Sequence, residues 1–173
     1  VRGGEVGELL VVLDGMPIRQ AFHLPAYNAV FSTIDEGLID RLDAFTGTLP
    51  VRFGNRLGAI VDLRTVQDGE PERHAVGLST WNASLRTGRR ASDVGEADWL
   101  IAARHGTAAN WIDKYANDVG RPGDQDVFAR LTTTSVGGLQ LGARAFRSDS
   151  KLEVAEADGS EVAALDSTAS YIW

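Results

Sequence analysis

The feature that most constrains this chain is the period-two alternation that runs through its second half. In Trp99 to Arg104, Trp99, Ile101 and Ala103 share one face, and Leu100, Ala102 and Arg104 the other. In Val127 to Thr134, Val127, Ala129 and Leu131 oppose Phe128, Arg130, Thr132 and Thr134. In Leu139 to Phe146, Leu139, Leu141, Ala143 and Ala145 oppose Gln140, Gly142, Arg144 and Phe146. Successive side chains of a strand point to opposite faces, so each segment is a strand with one aliphatic face and one face rich in arginine, glutamine and threonine. A soluble sandwich buries the aliphatic face and wets the other. A membrane barrel turns the aliphatic face to lipid and the polar face inward. Periodicity alone fits both.

A polar stretch, Val66 to Arg73, holds Gly69 and Pro71 and separates two textures. After it come alternating strands and no helix of length. Before it the apolar residues fall in blocks such as Leu9 to Leu13, as in a compact core of strands and short helices. Thr33-Ile34-Asp35-Glu36 reads as a helix start, with Thr33 as N-cap and Glu36 three residues on. Leu38 to Thr65 reads as a strand, a turn at Thr46-Gly47-Thr48, a basic aromatic loop Arg52-Phe53-Gly54-Asn55-Arg56, and a second strand Leu57 to Leu63.

Composition removes several classes of function. Net charge is −7, with a pI near 4.9, which argues against nucleic acid or an anionic membrane surface as partner. There is no cysteine, hence no disulfide framework and no cysteine-based zinc site. His23, His74 and His105 lack the i, i+2 or i, i+4 spacing of a metal pair. Asp35-Glu36 and the pair Asp40 and Asp43 are explained by capping and solvation rather than acid–base work. No Gly-x-Ser-x-Gly, P-loop or Gly-x-Gly-x-x-Gly occurs. The expectation is a protein with no catalytic residues, no metal site and no cofactor.

Three strings then resemble one family in its own order and at about its spacing. Val1-Arg2-Gly3-Gly4 resembles "(I/V)RGG". Leu9 to Ile18, LLVVLDGMPI, resembles "VLVLLDGVPV". Leu38 to Thr65, LIDRLDAFTGTLPVRFGNRLGAIVDLRT, resembles the "DR(V/I)EV…G…RYGN…GG(V/I)(I/L)(D/N)" string that closes the plug of TonB-dependent outer-membrane receptors. The resemblance covers residues 1 to about 65 well and the remainder more loosely. It implies an α+β plug over 1–66, a small mixed sheet with short helices, followed over 74–173 by about six antiparallel strands of an incomplete transmembrane β-barrel. Those strands are His74–Thr80, Ala83–Gly88, Ala97–Gly106, Asp126–Ser135, Leu139–Ser148 and Ser167–Trp173. Turns at Ala91–Glu96 and Val136–Gly138 would face the periplasm, and loops Thr107–Gln125 and Asp149–Asp166 the outside.

The same resemblance assigns plug-motif or plug–barrel roles to Arg2, Gly3, Gly4, Asp14, Gly15, Arg41, Gly47, Arg52, Phe53, Gly54 and Gly58. Of these, Arg41 and Arg52 are best placed to pair with barrel acids. Trp111 and Tyr115, four apart in the first long loop, are candidate ligand contacts on the outside. The implied protein is an outer-membrane receptor of a Gram-negative bacterium that imports a ferric siderophore, cobalamin or an oligosaccharide. Its partners are TonB, the imported small molecule and outer-membrane lipid, with no nucleic acid. A chain that opens on Val1 and stops at Trp173 in mid-alternation reads as a piece of such a receptor, short of the TonB-contacting segment and of further strands, and unable to transport alone. The rival reading is a secreted or surface β-sandwich that binds a ligand or mediates adhesion; it accounts for alternation and acidity but not for the ordered strings.

Overall fold

The structure, a computed structural model, describes residues 9–23, 31–47, 58–66, 72–91, 96–110, 120–134, 139–155 and 161–173. The chain divides into two units, Val1–Asp68 and Gly69–Trp173, with the division inside the polar Val66–Arg73 stretch.

The first unit is a four-stranded mixed sheet of β1 (Leu10–Leu13), β2 (Met16–Ile18), β3 (Ile39–Phe45) and β4 (Ile60–Thr65), in the order β2-β1-β4-β3. Leu10-Val11-Val12-Leu13 is apolar throughout because β1 is central and buried along its whole length, with a parallel neighbour in β4. Leu10, Val12 and Ile60 form the core cluster, and Phe45 packs against it. Asp14-Gly15 closes the β1–β2 hairpin, with Leu13 paired to Met16 across it. Both turn residues have positive φ, 45° and 87°, which a two-residue hairpin of this twist demands and which Asp-Gly supplies at low cost.

The expected α+β character fails here. The helix read at Thr33 is a single 3-10 turn, Glu36–Leu38. Its N-cap is Asp35, whose Oδ1 accepts from Gly37 N at 3.0 Å, not Thr33. Thr33 is instead tied to the preceding segment: its N–H donates to the Ala21 carbonyl at 3.0 Å and its hydroxyl to that of Gln20 at 3.0 Å. With two carbonyls of the preceding segment in reach, this β-branched residue satisfies both its N–H and its hydroxyl in extended pairing rather than at a helix start.

The second unit is a six-stranded antiparallel meander. Its strands are β5 (Glu72–Leu78), β6 (Asn82–Ala91), β7 (Glu96–Gly106), β8 (Arg121–Thr134), β9 (Gln140–Ala155) and β10 (Glu161–Ile172), ordered β10-β9-β8-β7-β6-β5. It is an open sheet, not a closed barrel: β5 and β10 lie at its two edges. All six strands exceed their expected bounds at one end or both. β8 begins within the span read as the loop Thr107–Gln125, and β9 and β10 take up much of the span read as Asp149–Asp166. Gly120, Pro122 and Gly123 read as a loop in sequence, yet fourteen consecutive register partners join β8 to β9 from Arg121↔Glu153 to Thr134↔Gln140. Cross-strand pairs of opposite charge and hydroxyls support a strand as well as apolar ones do. Outside the strands, Ala108–Asn110 take a helical conformation. The Val136–Gly138 turn lies outside the described residues. No helix among them is long and apolar enough to cross a membrane.

Candidate functional site

The chemistry of this chain is concentrated on the two faces of the six-stranded sheet, and register decides which residue meets which. On one face, Ala102, Phe128, Phe146 and Tyr171 form a continuous row across β7 to β10. Phe146 stacks on Tyr171 with ring centroids 6.0 Å apart, and Phe128 meets Trp173 at 6.5 Å. The next row toward the β9–β10 connection is ionic: Ser84, Arg104, Asp126 and Ser148. Arg104 donates through Nε at 3.0 Å and Nη2 at 2.5 Å to the same Asp126 oxygen. On the far side of the aromatic row, Arg130 donates to Asp98 Oδ1 at 2.6 Å, a diagonal step across β7 and β8. These pairs are shielded from water, the Arg130 side chain being 3% exposed and that of Asp126 5%.

Ion pairs this dry are not a cheap source of stability, since desolvation offsets most of the attraction. What they fix is register: Arg104 meets Asp126 and Arg130 meets Asp98 across β7 and β8, and a slip of one strand by one residue would send one member of each pair to the opposite face. Asp98 and Asp126 share the alternation parity of Leu100, Arg104 and Arg130, so the sequence pattern carried their face. Their choice of partner came only with the strand pairing.

The opposite face is aliphatic and open. It carries Val76 and Leu78 on β5, Leu85 on β6, Ile101 on β7, Val127 and Leu131 on β8, Leu141 on β9 and Ile172 on β10, all among the exposed large apolar residues. Leu131 is 51% exposed and Leu78 82%. A single exposed leucine needs no account, but a patch continuous across all six strands does. Toward the β9–β10 connection the same face turns charged. Arg147 pairs with Asp149 at 2.8 Å, Thr168 donates to Asp149 at 2.6 Å, and Lys151 pairs with Glu153.

No protein-family model and no curated protein matches this chain. The site therefore stands on its own geometry.

In the first unit one matched residue has a clear structural role. Asp14, in the β1–β2 turn, accepts from the Thr65 backbone N–H at 2.9 Å and from the Thr65 hydroxyl at 2.6 Å. This clamps the hairpin turn to the end of β4, 51 residues away in sequence, and Thr65 is wholly buried. Gly15 beside it holds the positive φ described above. Arg41, expected to reach a barrel acid, is paired on its own strand: Nε and Nη2 meet Asp43 at 2.9 and 3.1 Å. That contact raises the Arg41 pKa further above its ordinary value, first through the hydrogen bond and then through the carboxylate charge. The pair sits in solvent on β3, an edge strand. Gly47 faces open space where a Cβ would go, and Gly58 begins the approach to β4. Arg2, Gly3, Gly4, Arg52, Phe53 and Gly54, together with Trp111 and Tyr115, lie outside the described residues.

Proposed function

We propose that this protein works as an outer-membrane receptor in TonB-dependent import of a scarce nutrient, of the ferric siderophore, cobalamin or oligosaccharide class. One observation carries the membrane half of that reading: one face of the six-stranded sheet hides Arg130 and Asp126, and the other displays Leu131, Leu141, Ile101 and Leu78. Water favours the reverse arrangement, because exposed aliphatic area costs about 25 cal/mol per Å². In hydrocarbon the penalty vanishes for the aliphatic face and falls on any charge placed there. The import half rests on the ordered strings (I/V)RGG-like, LDG-like and DR…RFGN-like in the first unit.

A receptor of this kind must hold firm until TonB pulls and then yield in part. The first unit has the makings of such a part: β1 and β2 are four and three residues long, and the Asp14–Thr65 clamp fastens their turn to β4. Elements of three or four residues open at lower cost than a sheet whose strands run from seven to sixteen residues. The residues that choose the ligand belong to the outer loops.

The test is uptake by cells. The gene is expressed in a Gram-negative host lacking its own receptors, with and without TonB. Labelled ferric siderophores, cobalamin and maltodextrins are then offered in turn. The proposal expects uptake of one class, lost when TonB is absent. Accumulation of the product in the soluble fraction, or uptake indifferent to TonB, would overturn it.

A further inference from the structure

The face that carries the aromatic row also carries a second polar row, which the ion pairs do not explain. Beside Ser84, Arg104, Asp126, Ser148 and Ala169 runs a row of Asn82, Gly106, Asp124, Ser150 and Ser167. Most of these side chains end in oxygen, and among them two aspartates stand beside one arginine. Asp124 and Asp126 are residues i and i+2 of β8, so both carboxylates project from this face. Each offers an oxygen within 4.8 Å of one from the other. Across the pairing with β9, Asp126 opposes Ser148 and Asp124 opposes Ser150. Asp126, Ser148 and Ser150 are all buried.

Gly106 on β7 makes the room for Asp124, because a Cβ built there would collide with the Asp124 carboxylate. Glycine inside a strand weakens it and marks a place where another group approaches closely. Here that group is a carboxylate.

Two neighbouring carboxylates are not by themselves a site. Ser148 adds an independent sign. It is 2% exposed, and its buried hydroxyl makes no hydrogen bond. A folded chain seldom leaves a buried hydroxyl unbonded, because desolvation then goes uncompensated. Alanine would fill the same space without that cost. A hydroxyl opposite Asp126 and on its face is placed to give its oxygen to something that the carboxylates also hold.

We infer that Asp124, Asp126 and Ser148 bind a hard divalent cation of the calcium class. Oxygens at ~2.3–2.6 Å from one ion lie up to ~5 Å apart, so the two carboxylates are close enough to share it. Arg104 holds Asp126 through Oδ2, which orients the carboxylate and leaves Oδ1 to face the ion. Ser150 lies beside them as a further oxygen, and water completes the shell. Donors that are all oxygen, without thiolate, suit calcium or magnesium better than zinc or copper. The ion offsets the repulsion of two close carboxylates and ties β8 to β9. The expectation of no metal site rested on histidine and cysteine spacing, which an all-oxygen set escapes. This site requires neither TonB nor an imported molecule, so it goes beyond the proposed function.

The full chain in detergent micelles, stripped of metal by a chelator, is titrated calorimetrically with calcium chloride and separately with magnesium chloride. Wild type should bind a single ion of either kind. Asp124→Asn and Ser148→Ala should each weaken binding by ~10–100-fold. Gly106→Ala removes no donor but displaces the Asp124 carboxylate, and it should weaken binding in the same way. Asp149→Asn, on the opposite face, should bind as wild type does. Calcium should raise the unfolding midpoint of wild type and not that of Asp124→Asn, since only the folded site binds it. Circular dichroism confirms that the strands have formed, and if Asp124→Asn does not fold, Ser148→Ala decides. Absence of binding by wild type, or equal binding by wild type and Ser148→Ala, would overturn the site. Weakening by Asp149→Asn as large as by Ser148→Ala would overturn it too, since binding would then follow surface charge.

Discussion

The two units of this chain use the same aliphatic residues in opposite ways. In the four-stranded sheet, Leu10 to Leu13 and Ile60 are buried. In the six-stranded sheet, Leu131, Leu141, Val127 and Ile101 are exposed, while Arg130 and Asp126 are buried. Hydrophobicity alone does not place a residue; the medium on each side of the sheet does. On the reading proposed above, a sheet that shows leucine and hides paired arginine is assembled for surroundings less polar than water. The lesson extends to register. Among the described residues the first sheet has an apolar core and the Asp14–Thr65 clamp, and the second has ion pairs that a one-residue slip would break.

That contrast can be broken where charge is hidden. Asp126→Ala leaves the Arg104 guanidinium without its carboxylate in a dry setting, and the expected loss is ~3–5 kcal/mol. Urea titration of the reconstituted protein measures it, and the paired replacement Arg104→Leu/Asp126→Leu should recover most of the loss. A smaller effect is expected where the aliphatic face is violated. Leu131→Arg places a cation within the apolar band at a cost of ~2–4 kcal/mol, read as failure to assemble in the outer membrane. In a soluble sandwich with an exposed Leu131, the same change would be neutral or would improve solubility.

In the first sheet the expected effects are smaller. Asp14→Ala removes two hydrogen bonds to Thr65 and puts a Cβ-bearing residue without a local acceptor at positive φ, for ~1.5–3 kcal/mol. Amide exchange should localise the loss to β1, β2 and the end of β4. Arg41→Ala should leave stability unchanged within the error of a urea titration, because its partner Asp43 is on the same strand and Arg41 lies in solvent. A large effect there would show that Arg41 has a further partner, as the family resemblance implies.

Much of the second sheet was legible, because period-two alternation survives without knowledge of partners. The shared face of Ile101, Ala129, Leu131, Leu141 and Ala143 followed from parity alone. Strand ends were less legible: Arg121 to Gln125 and Ser150 to Ala155 look like loop by composition, and only register shows them paired. The helix at Thr33 was misread because a capping pattern is local, whereas the Gln20 and Ala21 carbonyls that capture Thr33 lie more than ten residues upstream. The Asp14–Thr65 clamp spans 51 residues and leaves no periodic trace in sequence. The Arg41–Asp43 pair could have been read directly, since residues i and i+2 of a strand share a face.

The most direct test of the central claim asks what touches the aliphatic face. A photoreactive benzoylphenylalanine replaces Leu131 in the protein expressed in cells, and the adduct formed on irradiation is identified by mass spectrometry. The account predicts adducts to phospholipid acyl chains. Adducts to another protein segment, or to water alone, would contradict it.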